Sequence, residues 1–192
     1  MAININRRLL WMTQLALLTA LVIVLQMLPV RAGAFQFALA LVPIIIGGAL
    51  FGAGAGAWLG FVFGLVILLN GDAAAFMAVS VPGTIITIMA RGLGAGAAGG
   101  LIYRLLEKRT QLGAVISSSI VVPAVNTGMF ILGCLIFFMP FINEIAAGLS
   151  VSGGMHFLIF GMIGVNFFVE LGSTVLLSGA ALQIIKIAKR KA

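Results

Sequence analysis

Arg91 and Glu170 are ionisable side chains that stand inside long apolar runs of a 192-residue chain. A charge at the centre of a bilayer costs from about 2.5 kcal/mol upward, so each marks a site with a function and a partner. Asn166 precedes Glu170 by four residues and shares its helix face. Asn126 falls near the middle of another apolar run, with Thr84, Thr87 and Thr127 available nearby. At the helical rise, Arg91 lies roughly 18 Å and Glu170 roughly 22 Å below the outer ends of their runs, which is one layer. A cation, a carboxylate and two amides in a dry layer can hold a small polar solute. The competing reading is structural: Arg91 pairs only with Glu170, and the asparagines bridge helices.

Other apparent chemistry dissolves on inspection. Gly94-Ala95-Gly96-Ala97-Ala98-Gly99 matches the dinucleotide pattern GxGxxG, but that pattern needs a preceding strand and a helix N-terminus facing a pyrophosphate. Here it lies within an apolar helix, where Gly92, Gly96 and Gly100 at fourfold spacing let helix backbones approach closely in lipid. No P-loop is present, so energy for any transport comes from a partner or a gradient. HExxH and GxSxG are missing too. The single His156 suits the membrane interface better than a metal site, which takes three or four ligands. The single Cys134 lies in an apolar run and reads as a buried thiol. No cofactor is expected.

The elements that carry these residues follow from composition. The chain is 62% hydrophobic and 8% charged, against about 25% charged in a soluble domain. A bilayer core about 30 Å thick takes roughly 17–25 apolar helical residues per crossing. Leu9–Leu28 is one crossing, and it exceeds the roughly 7–15 residues of a signal-peptide core, so we expect it to be retained. Phe35–Leu69 would be about 52 Å long as a single helix and must fold back. The run Gly52-Ala53-Gly54-Ala55-Gly56 is the expected turn, leaving spans at 35–51 and 57–69. Asn70-Gly71-Asp72 reads as a further turn. Later spans are expected at 79–103, at 112–138 with a stop at Pro140, and at 155–185. The expectation is a single all-α integral membrane domain of six transmembrane helices.

The net charge of +7 does not form a stripe for nucleic acid. With six spans, Arg7, Arg8, Arg104, Lys108, Arg109, Lys186, Lys189, Arg190 and Lys191 fall on one side, and Arg31 falls on the other. Cytoplasmic loops hold the excess of Lys and Arg, which places the N and C termini in the cytoplasm.

The chain resembles the substrate-binding S components of energy-coupling-factor (ECF) vitamin importers over nearly its whole length. Ala16-Leu17-Leu18-Thr19-Ala20 is similar to the family's AxxxA motif. Val42-Pro43 followed by Gly47 and the Gly52–Gly56 run is similar to its second helix. Pro82, Arg91-Gly92 and Gly99-Gly100-Leu101-Ile102-Tyr103-Arg104 are similar to its fourth. The family usually has Pro next to that Arg, where this chain has Met89-Ala90-Arg91.

The resemblance implies that Ala16 and Ala20 dock on a transmembrane coupling subunit served by two ATPase subunits. It also implies lids at Pro29–Gln36 and Asn70–Phe76 above a site in the later helices. Arg31, Gln36, Asn70 and Asp72 join Arg91, Asn126, Asn166 and Glu170 as candidate substrate contacts. The expected protein is a non-enzymatic subunit of the cell inner membrane that binds a vitamin-class solute, with a lean toward pantothenate. Two alternatives stand: a gradient-driven transporter or small channel, and an intramembrane enzyme. Unlike halves argue against the first, and the lack of a nucleophile–base pair argues against the second.

Overall fold

The apolar runs fold as helices whose breaks fall where glycine or proline leaves the backbone little choice. The computed structural model describes residues 7–28, 31–32, 35–36 and 39–191. Helix α1 (Arg7–Met27) is followed by the two-residue strands β1 (Arg31–Ala32) and β2 (Phe35–Gln36), paired antiparallel. Then come α2 (Leu41–Phe51), α3 (Ala53–Leu69), α4 (Ala74–Val79), α5 (Val81–Leu106) and α6 (Gln111–Gly133). A π-helical turn, Cys134–Phe138, joins α6 to α7 (Met139–Gly148). A short α8 (Gly154–His156), a π-helical segment Phe157–Gly164, α9 (Val165–Leu176) and α10 (Ser178–Lys191) follow.

Several expected boundaries need correction. The second apolar helix begins at Leu41 rather than Phe35, because the β1–β2 hairpin occupies the preceding residues. The turn after it is Gly52 alone, at φ +90°, a conformation that L side chains rarely adopt. Gly54 and Gly56 lie inside α3 instead. The fourth span starts at Val81, where the Ser80 hydroxyl accepts from the Gly83 amide at 3.2 Å and Pro82 occupies the first turn. Pro140 does not end the fifth helix. The backbone widens into the π turn before it, and Pro140 then takes an early position in α7, where no N–H is needed. The sixth expected span is likewise two helices, broken at Leu177.

Glycine sets the spacing at the centre. A Cβ at Gly56 or Gly60 would overlap the carbonyl of Gly96 or Gly92, and one at Gly96 or Gly92 would overlap Gly56 or Gly60 in return. Helices α3 and α5 therefore touch backbone to backbone over successive turns. Gly48 of α2 packs on the Gly100 backbone less tightly, its built Cβ lying 3.1 Å away, and a Cβ on Gly100 would overlap Ala53.

Four helical stretches, Arg8–Met27, Val81–Leu106, Gln111–Gly148 and Gly154–Leu176, are long and apolar enough to cross a membrane, and α2 and α3 are shorter apolar helices. Large apolar side chains face outward on many of them, including Leu69 (77% exposed), Ile136 (71%) and Leu176 (84%). A soluble monomer keeps such patches small.

Contacts define the two poles. At one, Trp11 stacks edge-on with Phe51 at 5.4 Å, Arg104 Nη2 donates to the Phe51 carbonyl at 3.4 Å, and Lys189 pairs with Glu107 at 2.6 Å. The start of α1 and the ends of α2, α5 and α10 are thus neighbours, and all but α2 carry cationic residues. At the other pole, Gln26 Nε2 donates to Asp72 Oδ2 at 3.3 Å, tying the end of α1 to the α3–α4 turn.

Candidate functional site

Helical spacing aims one face of each of several helices at a common point. Thr84, Thr87, Ile88 and Arg91 recur along α5 at the period of one face, and Ile163, Asn166, Phe167 and Glu170 do so along α9 and the π segment before it. Asn126, Thr127 and Phe130 add a turn of α6. Together they line a cavity of ≈ 250 Å³. The first half of the chain completes the wall with Leu25 and Gln26 of α1, Leu28 just after it, Phe63 and Ile67 of α3, and Asp72, Ala73 and Phe76 before and within α4. The pocket is therefore not confined to the last three spans, as the polar residues alone suggest.

Its geometry departs from a closed ion pair. Asn126 Nδ2 donates to Glu170 Oε1 at 3.0 Å, with both side chains buried. Arg91 makes no salt bridge with Glu170 among the described residues. Its guanidinium lies 5.8 Å from the ring centroid of Phe63 and 5.3 Å from that of Phe130, a cation–π arrangement that holds it in place. Of the structural reading, the exclusive Arg91–Glu170 pair is not seen among the described residues, whereas Asn126 does bridge α6 to α9.

Three buried polar atoms in the cavity wall, Thr87 Oγ1, Arg91 Nε and Asn126 Oδ1, have no hydrogen-bond partner among the described residues. More than about 90% of buried polar groups are paired, and leaving one unpaired costs about 1–3 kcal/mol. All three belong to residues that line one cavity, although Thr87 Oγ1 itself lies against Gly133 of α6.

Local structure explains why Asn126 is held so well. Pro123 lies inside α6 and has no N–H to give to the carbonyl four residues earlier, that of Ser119. Thr174 Oγ1 donates to that carbonyl instead, at 2.8 Å. This ties α9 to α6 one turn along α9 and two turns along α6 from the Asn126–Glu170 bond, as neighbouring helices commonly do around a membrane proline.

The remaining candidates separate. Asp72 lines the mouth, and Asn70 supports it with Nδ2 donating to Asp72 Oδ2 at 2.9 Å. Phe76 of α4 packs edge-on against Phe130, Phe138 and Phe141 at 5.7, 5.0 and 6.1 Å. Of the first lid, residues 29–30 and 33–34 lie outside the described residues, as do the side chains of Arg31 and Gln36; the β2 backbone lies against α9. Ala16 and Ala20 are not at the cavity. They floor an exposed groove on α1, flanked by Trp11 and Trp58, where Trp58 Nε1 donates to Thr19 Oγ1 at 3.2 Å. His156 is exposed beside Phe160, at 4.8 Å between rings.

Sequence reasoning passed over Gln26. Its signal is a lone amide at the outer end of the first apolar run, level with the Asn70-Gly71-Asp72 turn.

The family model for the substrate-specific component of ECF transporters matches residues 11–190, a stretch that includes every residue lining the cavity. The chain belongs to this family. No curated protein and no solved structure matches it. ECF substrate-specific components are membrane proteins that bind small-molecule substrates and work with a membrane coupling subunit and ATPases. The family is one of transport subunits rather than enzymes.

Proposed function

We propose that this S component crosses the cell inner membrane six times as a single domain, with both termini in the cytoplasm. It captures a water-soluble vitamin or related small molecule from outside, and a coupling subunit with two ATPase subunits drives its uptake. Arg91, Asn126, Asn166 and Glu170 hold the solute. Asn70 and Asp72, with Arg31 and Gln36 of the first lid, attend the mouth, and Ala16 and Ala20 meet the coupling subunit. Pantothenate is the favoured vitamin, because an interior Arg suits its carboxylate.

The observation that carries this reading is the set of three unpartnered buried polar atoms around one cavity. Support for the orientation comes from the cationic pole, since cytoplasmic ends hold the excess of Lys and Arg. Mass spectrometry of the protein purified in mild detergent tests the function. The expected result is a stoichiometric water-soluble molecule that is released on denaturation. Purified protein that retains no such molecule and binds none when offered a vitamin panel would count against the proposal.

The topology has its own check. Cysteines placed at Asp72 and Glu144 should react with an impermeant thiol reagent applied from outside, and one at Lys108 should not. The opposite pattern would invert the protein and remove both lids from the outer face.

A further inference from the structure

We propose that the solute this cavity takes is a small organic acid carrying a separate hydrogen-bond donor, with its carboxylate on Arg91 and its donor on Asn126 and Glu170. This rests on the cavity being the substrate site and narrows what it accepts.

The wall is chemically divided. On α5, Arg91 offers only donors, since a guanidinium has no acceptor and keeps its charge. Its Nε is buried and unpartnered, and Phe63 and Phe130 flank the group. A planar donor fork held in this way matches the two oxygens of a carboxylate. On α6, Asn126 presents the opposite polarity. Asn126 has committed its Nδ2 to Glu170 Oε1, which leaves its Oδ1, a buried acceptor beside the carboxyl group, without a partner among the described residues. An acceptor of this kind asks for a hydroxyl, amide or ammonium hydrogen.

The ligand must therefore present an acceptor to one side and a donor to the other. Arg91 makes no salt bridge with Glu170 among the described residues, so the guanidinium is not closed off by that carboxyl group and a ligand carboxylate can pair with it directly. A cationic solute without an acid would add a second positive charge beside it.

Size and lining restrict the body. The cavity of ≈ 250 Å³ falls below the roughly 300–1,000 Å³ of pockets for drug-sized ligands. Its apolar lining includes Phe76, Phe138 and Ile163, which suits a branched alkyl or small-ring body. Among the described residues no group of three His, Cys, Asp or Glu side chains comes together to hold a metal cation.

The test uses the purified full-length chain, depleted of any bound solute, and isothermal titration with matched probes. Pantothenate and biotin each combine a carboxylate with donors. Panthenol and biotinamide are their uncharged counterparts, and thiamine and riboflavin lie outside the class. At least one acid is expected to bind about tenfold or more tighter than its counterpart, the size of a charge-assisted hydrogen bond. In Arg91→Gln that preference should shrink to about twofold or less, while the uncharged probe still binds and so reports a folded protein. The wild-type ratio stands alone should the variant not fold. Equal binding of acid and counterpart, or no binding of either acid, overturns the inference. So does a preference for thiamine or riboflavin, but that outcome leaves the cavity's role as the substrate site in place.

Discussion

Valine at Gly60 or Gly96 is expected to leave no folded protein to recover. At both positions a new Cβ falls on a backbone carbonyl of the facing helix, Gly92 or Gly56. No side chain can rotate away to make room, so α3 and α5 must part. In lipid, helix association depends on close van der Waals packing, with no apolar surface to be withdrawn from water. The penalty should therefore exceed the about 1–3 kcal/mol of ordinary overpacking in a core. It also displaces Arg91, which adjoins Gly92 on α5. Gly54→Ala is the control: nothing lies within 4 Å of its added Cβ, and alanine favours a helix by up to about 1 kcal/mol. Size-exclusion chromatography in detergent should show aggregate or no protein for Gly60→Val and Gly96→Val, and a wild-type peak for Gly54→Ala. A monodisperse Gly60→Val protein would show that the glycine contact does not hold the bundle.

Tryptophan at Ala16 or Ala20 should abolish uptake in cells that supply the coupling subunit and ATPases, yet leave solute binding to the isolated protein unchanged. Both alanines are exposed on the floor of the α1 groove, away from the cavity. A bulky side chain there fills the space another helix needs, and small residues are what permit close approach in a membrane. The effect is close to all-or-none in transport, whereas thermal stability should move little because neither side chain is part of the core. Uptake that survives both Ala16→Trp and Ala20→Trp would remove α1 as the coupling surface.

That Arg91, Asn126, Asn166 and Glu170 lie close together, as they do around one cavity, is legible in the sequence. Polar side chains are rare in apolar helices, and a constant rise per residue turns sequence position into depth. What they bond to was not legible, because that depends on rotamers and on which helices are neighbours. Asn126 reaches Glu170, while Arg91 lies near two phenylalanine rings.

The apolar wall from α1 and α3 was hidden for the opposite reason: Phe63 and Ile67 look like any lipid-facing residues. Glycine is ambiguous in the same way. Gly52 turns the chain while Gly56 packs a helix, and only the distant Gly96 distinguishes the two roles. Pro140 reads as a stop because sequence patterns carry no sign of a π turn. The β1–β2 hairpin is too short for any periodicity to announce it.

The central claim is that the four polar side chains bind the solute rather than merely brace the helices. It is tested most directly by measuring the dissociation constant of the co-purified solute and the melting temperature on the same purified variants. For Asn126→Ala and Asn166→Ala the affinity should fall by the about 0.5–1.5 kcal/mol of a neutral hydrogen bond. For Arg91→Gln and Glu170→Gln it should fall by the about 1.5–3 kcal/mol of a charged one, which is tenfold or more. Lower melting temperatures with all four dissociation constants within about twofold of wild type would contradict the claim and move the site to the mouth, among Arg31, Gln36, Asn70 and Asp72.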